Sequence, residues 1–76
     1  MAHFDRELDT SGLNCPMPVM QTKKVLKNLT AGQILHLIAT DPGTRDDIPG
    51  LVDQPGCAIQ SSDQDGGKYH FYIRKG

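Results

Sequence analysis

Gln33-Ile34-Leu35-His36-Leu37-Ile38-Ala39-Thr40 is the stretch that decides the fold. It is rich in aliphatic and β-branched residues and too short for a buried helix, so it reads as a strand covered over most of its surface. Thr30-Ala31-Gly32 before it and Asp41-Pro42-Gly43 after it are turn sequences. A strand this apolar belongs at the centre of a sheet.

Toward the N-terminus, Val19, Thr22, Leu26 and Leu29 recur at spacings of three and four, while Lys23, Lys24 and Lys27 fall on the other side. That spacing predicts an amphipathic helix over Val19–Leu29, stopped by Gly32, a residue that takes the left-handed conformation without strain. Before it, Phe4 to Asp9 puts Phe4 and Leu8 on one face and Asp5, Glu7 and Asp9 on the other, as an edge strand would. Toward the C-terminus, Thr44 is placed to cap a second helix, with Asp46 and Asp47 in the first turn, where carboxylates suit the dipole. Ile48, Leu51 and Val52 form its apolar stripe, and Pro49 and Gly50 predict that it is short or irregular. Pro55-Gly56 closes that element. Cys57–Asp63 and Lys68–Arg74 then read as two strands of a hairpin around Gln64-Asp65-Gly66-Gly67. Tyr69, Phe71 and Ile73 make its apolar face, and His70, Tyr72 and Arg74 a face that can stay wet.

The predicted order is therefore β-α-β-α-β-β. Right-handed crossovers place both helices on one face of a four-stranded mixed sheet, an α+β, two-layer α/β sandwich in a single domain spanning residues 1–76. A charged fraction of 22% with apolar residues spread along the chain argues against disorder. A net charge of -1 gives no field that favours phosphate backbones, so direct nucleic-acid binding is not expected. The apolar run Ile34–Ala39 is too short to cross a bilayer, and the first residues lack the basic flank and apolar run of a signal peptide, so a cytoplasmic protein without membrane association is expected.

Cys15 and Cys57 are too few for a disulfide framework, which leaves thiol chemistry open. Cys15-Pro16-Met17-Pro18 holds the most chemical information. Proline is favoured in the first turn of a helix, so Pro16 and Pro18 stiffen the entrance, leaving the amides of Met17 and Val19 and the positive end of the dipole toward Cys15. Helix N-termini lower a thiol's pKa by roughly one to several units from about 8.5, so Cys15 is expected to be largely thiolate near neutral pH. No neighbouring histidine suggests a hydrolase, and Pro18 stands where a redox Cys-x-x-Cys pair needs its second cysteine. What remains is a single nucleophilic sulfur that accepts and hands on a group, most plausibly another sulfur.

At this point the sequence resembles the TusA/SirA-type sulfur carriers. The resemblance runs through Leu8-Asp9, Gly12-Leu13-Asn14-Cys15-Pro16-Met17-Pro18, Lys23-Lys24, Gly32-Gln33, Ala39-Thr40-Asp41-Pro42 and Asp47-Ile48-Pro49, nearly the whole chain. It implies a β-α-β-α-β-β sandwich and a sulfurtransferase in which Cys15 carries a persulfide. A cysteine desulfurase or rhodanese-like protein would be the donor and a DsrE/TusD-like protein the acceptor, in tRNA thiolation, molybdenum cofactor sulfur supply or sulfur oxidation. No cofactor is needed beyond the covalent persulfide, and the carrier is expected to act as a monomer.

Docking would have to present Cys15 to a partner's cysteine, which makes Asn14, Met17, Pro18 and Arg45 candidate contacts. Lys23 and Lys24, about 12 Å along the helix, are docking charges or simply a solvated face. Asp41 is expected to cap the second helix or its turn, and Cys57, in phase with Ile59, to be a buried structural cysteine. His3, His36 and His70 have no compact ligand spacing with the cysteines, so no metal is expected. His36 and His70 are expected to be half-exposed on the sheet face away from the helices. Two rivals remain: a non-catalytic regulatory interaction module using the open sheet face, and a redox sensor pairing Cys15 with Cys57.

Overall fold

The computed structural model describes residues 4–14, 17–51 and 57–76. The element order is β1 (Arg6–Thr10), α1 (Met17–Lys27), β2 (Ile34–Ala39), α2 (Thr44–Leu51), β3 (Cys57–Asp65) and β4 (Lys68–Lys75). The sheet order is β1-β2-β4-β3, with β1 parallel to β2 and the other neighbours antiparallel. This is the expected α+β sandwich, with the expected centre: β2 is an inner strand, and Leu35, Leu37 and Ala39 are fully buried.

Period-two alternation sends Leu35 and Leu37 toward the helices, in register with Ile73 and Phe71 of β4. Leu26 and Leu29 from the α1 side and Ile48 from α2 close over them, and these seven residues form the core. Leu8, Val19 and Ile59 pack against its edges. Apolar burial of this kind is the main term holding so small a domain together. Lys75 ties three elements at one end of the sheet. Its Nζ donates to Leu26 O at 2.9 Å, its amide donates to Gln33 O, and its carbonyl accepts from Gly32 N.

Four local expectations change. Helix α1 begins at Met17, before Val19, and Pro18 is fully buried in its first turn. The hairpin turn is two residues, Gly66-Gly67, both with positive φ (56° and 84°), so Gln64 and Asp65 belong to β3. Two consecutive positive φ angles match the right-handed twist of paired strands, and glycine reaches them without Cβ strain. Phe4 does not share a face with Leu8. The chain bends at Asp5, whose amide donates to Ile34 O and whose carboxylate accepts from Ile34 N, both at 2.8 Å. That bend sends the Phe4 ring over the open face while Leu8 faces the core. Finally, His36 is buried rather than half-exposed, because Phe4 covers it.

Helix α2 is short, as Pro49 and Gly50 predict, with Pro49 inside it. Thr44 and Ile48 are buried on it, while the expected packing of Leu51 and Val52, like the turn at Pro55-Gly56 and the position of His3, lies outside the described residues or side chains. No described helix is long and apolar enough to cross a membrane.

Candidate functional site

The parallel pair β1-β2 runs toward one end of the sheet, and both helices start there. Loops beyond the carboxyl ends of parallel strands are where open α/β sheets carry their chemistry. Two such loops, residues 11–14 and 40–43, lie side by side. Gly12 N donates to Thr40 Oγ1 at 2.8 Å, and Thr10 Oγ1 donates to Ile38 O at 2.6 Å. Leu13 N donates back to Thr10 O, and Gly12 has φ 82°, a left-handed turn that favours glycine. Asp9 is fully exposed, and hydrogen bonds from the side chain and then the backbone of Ser11 hold its carboxyl below the usual carboxylate range.

Across the gap, Thr44 donates to Asp41 O through both its amide, at 3.0 Å, and its Oγ1, at 2.6 Å. Asp41 thus closes the turn into α2 through its carbonyl. A Cβ on Gly43 would lie 3.1 Å from Asp41 Oδ2, so glycine leaves room for that carboxylate.

Cys15 and Pro16 lie outside the described residues, and the site is built from what flanks them. Asn14 is exposed, and its carbonyl accepts from the Met17 amide at 2.9 Å. That amide was expected to be open, and the bond uses it to fix the turn into α1. Met17 is 41% exposed, on the surface rather than in the core, and Met20 beside it is more exposed still. Pro18 is no docking contact, being fully buried. Its carbonyl accepts from Thr22 Oγ1 at 2.7 Å, and the ring packs inward as the start of the helix's buried stripe. Lys23 and Lys24 are exposed on α1. Arg45 is exposed in the first turn of α2.

An open cleft of about 400 Å³ between α2 and the β3-β4 hairpin is lined by Arg45, Ser62 and Gln64 together with Ile59, Tyr69 and Phe71. No residue pattern announces it, because it arises from a helix too short to cover the outer strand. Cys57 is half-buried and packs against the core. It pairs with Lys75, at the sheet end where α1 finishes, about 16 Å of helix away from Met17. The Cys15–Cys57 pairing itself falls outside the described residues. Among the described residues no three metal-ligating side chains converge.

A four-stranded sheet backed by two helices, with Met17-Pro18 opening α1 at its loop end, defines a small two-layer α+β domain. Residues 6–75 match the family model described as sulfurtransferase TusA. The chain is 51% identical over 75 residues to the sulfur carrier protein TusA of Allochromatium vinosum, covering 99% of both chains. It is 45% identical over 71 residues to the protein of the same name in Pseudomonas putida, covering 93% of this chain and 89% of that one. Its fold is similar to a SirA-like protein of Desulfitobacterium hafniense, with a TM-score of 0.82, 25% identity, and 95% and 99% of the two chains covered. The chain belongs to the TusA family of sulfur carriers, and sulfur transfer is its general role.

Proposed function

We propose that Cys15 is the sulfur-carrying residue and that it holds the cargo as a persulfide. The Cys15 thiolate attacks the terminal sulfur of a donor persulfide. A new S–S bond forms on Cys15, the donor's S–S bond breaks, and the electron pair leaves with the donor thiolate. The exchange is redox-neutral and needs no cofactor. The reverse roles deliver the sulfur to an acceptor thiolate. The donor is a cysteine desulfurase or a rhodanese-like protein, the acceptor a DsrE/TusD-like protein, and transfer takes place in the cytoplasm.

The observation that carries this reading is the start of α1 at Met17, two positions after Cys15 in the chain. A helix N-terminus favours the thiolate over the thiol. Pro18, buried in the first turn, and the Asn14–Met17 hydrogen bond fix the start of the helix, while Asn14 and Met17 beside it are exposed and free to meet a partner, with Arg45 exposed at the start of α2. Lys23 and Lys24 extend that surface along α1 with positive charge.

Intact-mass spectrometry tests the proposal on the native chain, Cys15→Ser and Cys57→Ser, after incubation with a cysteine desulfurase and cysteine or with a rhodanese and thiosulfate. A reducible gain of one sulfur in the native and Cys57→Ser proteins, lost in Cys15→Ser, is expected. A gain that survives in Cys15→Ser, or no gain from either donor on folded chain with a free Cys15 thiol, overturns it.

A further inference from the structure

The sheet face turned away from the helices carries ionisable side chains that sulfur transfer does not use. Strand parity places Glu7 of β1, His36 of β2, and His70 and Tyr72 of β4 on that face. His36 is 8% exposed. Its ring stacks on Tyr72 with centroids 4.5 Å apart, and Phe4 covers it at 5.1 Å. The two ring nitrogens of His36 have different surroundings. Nε2 lies 2.9 Å from Nδ1 of His70. Nδ1 faces Oε2 of Glu7 at 3.6 Å, and among the described residues it is the buried side-chain polar atom left without a hydrogen bond.

A hydrogen bond between two neutral imidazoles has a direction, since one N–H donates and one lone pair accepts. If Nε2 of His36 donated, Nδ1 of the same ring would be a bare, buried lone pair aimed at a carboxylate. Acceptor would face acceptor, and the buried ring nitrogen would have no donor among the described residues. In the opposite direction, Nδ1 of His36 carries the hydrogen and points it at Glu7, and Nε2 accepts from Nδ1–H of His70. Glu7 is 47% exposed, so a small rotation of its side chain closes the 3.6 Å gap. The carboxylate on β1 thereby sets the tautomer of His36, and His36 sets that of His70.

We propose that Glu7, His36 and His70 form a carboxylate–imidazole–imidazole relay that holds both rings as Nδ1–H tautomers and presents the Nε2 lone pair of His70 as a proton-binding site. Half-buried His70 makes no hydrogen bond through Nε2 among the described residues, and that nitrogen is open to solvent. A proton arriving there forms one N–H bond and breaks none. The existing N–H of His70 still donates to His36, that of His36 still points at Glu7, and the new charge faces the carboxylate through the intervening ring. A second proton would need Nε2 of His36, already occupied by the His70 hydrogen bond, so the relay takes one. The other charged groups on this face are Asp9 of β1, Asp63 and Asp65 of β3, opposite His70 and Lys68, and Lys68 and Arg74 of β4. Asp63 and Lys68 thus flank His70 with opposite charges, and Arg74 stands toward the far end of the strand.

Ring nitrogen-15 shifts from two-bond correlation spectra at pH 8, on the whole chain, read each tautomer directly. His36 and His70 are both expected as Nδ1–H, whereas free imidazole side chains in water favour Nε2–H. Glu7→Ala removes the acceptor, and His70, two strands away, is expected to revert to Nε2–H. His36→Phe keeps a ring over Tyr72, breaks the relay and is expected to give the same reversal. Amide spectra of the same samples establish that each variant is folded. An Nε2–H tautomer for His70 in the native chain, or a His70 tautomer unchanged in folded Glu7→Ala, overturns the relay. Neither reading depends on Cys15, so this proposal and the sulfur-carrier reading fail separately.

Discussion

Leu35 and Leu37 point toward the helices and His36, between them, points the other way, so one strand samples both faces of the sheet. On the helix side, burial is a matter of area: leucine, isoleucine and phenylalanine from four elements and the turn after α1 interlock with no polar side chain in the cluster. On the other side, a single ring outside any strand, Phe4, covers a histidine that stacks on tyrosine and bonds to a second histidine. Both arrangements exclude water from β2, but they differ in what specifies them. Non-directional packing tolerates conservative exchange, whereas a ring nitrogen facing a carboxylate and another facing an imidazole fix one arrangement.

Breaking the helix-backed face should have the largest effect. Leu37→Ala removes a fully buried side chain from the middle of the core and is expected to cost ~2–5 kcal/mol, read as a shift of the urea midpoint. On the open face, Phe4→Ala loses a partly exposed ring and two aromatic contacts, with an expected cost of about 1 kcal/mol by the same measurement. If Phe4→Ala cost as much as Leu37→Ala, the open face would be a second core and the contrast would be wrong. The smallest effect belongs to neither face but to the loop end. Ser11→Ala removes the side-chain hydrogen bond that contributes most to lowering the Asp9 carboxyl, so its titration, followed by carboxyl carbon NMR, is expected to move up toward the ordinary carboxylate range. The sign for stability follows: a carboxyl depressed in the folded state stabilises above its unfolded pKa, and that contribution fades as pH falls through the folded value. In Ser11→Ala the acid-side loss should therefore be smaller and be complete at a slightly higher pH.

The chain's own pattern carries much of this. The aliphatic run of β2, the three-and-four spacing of α1 and the alternation along β4 each imprint the period of the element they form, because each buries one continuous face. Met17 and Pro18 escaped that logic. Proline's rigid ring serves both as a helix starter and as core filling, and the spacing from Val19 onward holds no sign that Pro18 turns inward. Phe4 escaped because a bend at Asp5, set by two hydrogen bonds to Ile34 across the sheet, overrides the alternation of neighbours. His36 followed from Phe4: the parity of the strand was right, but its burial came from a residue 32 positions earlier by subtraction of the two numbers. At the loop end, the helix that follows Cys15 was legible in the motif, which is also what singles out Cys15 as the proposed nucleophile. The cleft beside Arg45 was not, since it is the space left where a short α2 stops covering a long β3.

The order β1-β2-β4-β3 also governs the moment at which the molecule can fold as the ribosome makes it. β4 is an inner strand, yet it is the sixth of six elements in chain order. Until residues 68–75 emerge, β2 has an open edge and β3 has no partner at all, and the Leu26 carbonyl waits for Lys75. A nascent chain ending before β4 holds at most the β1-α1-β2 unit, with Leu35 and Leu37 lacking their partners Ile73 and Phe71. The sheet therefore closes in one late step, and the fold is won or lost as a whole rather than built up strand by strand.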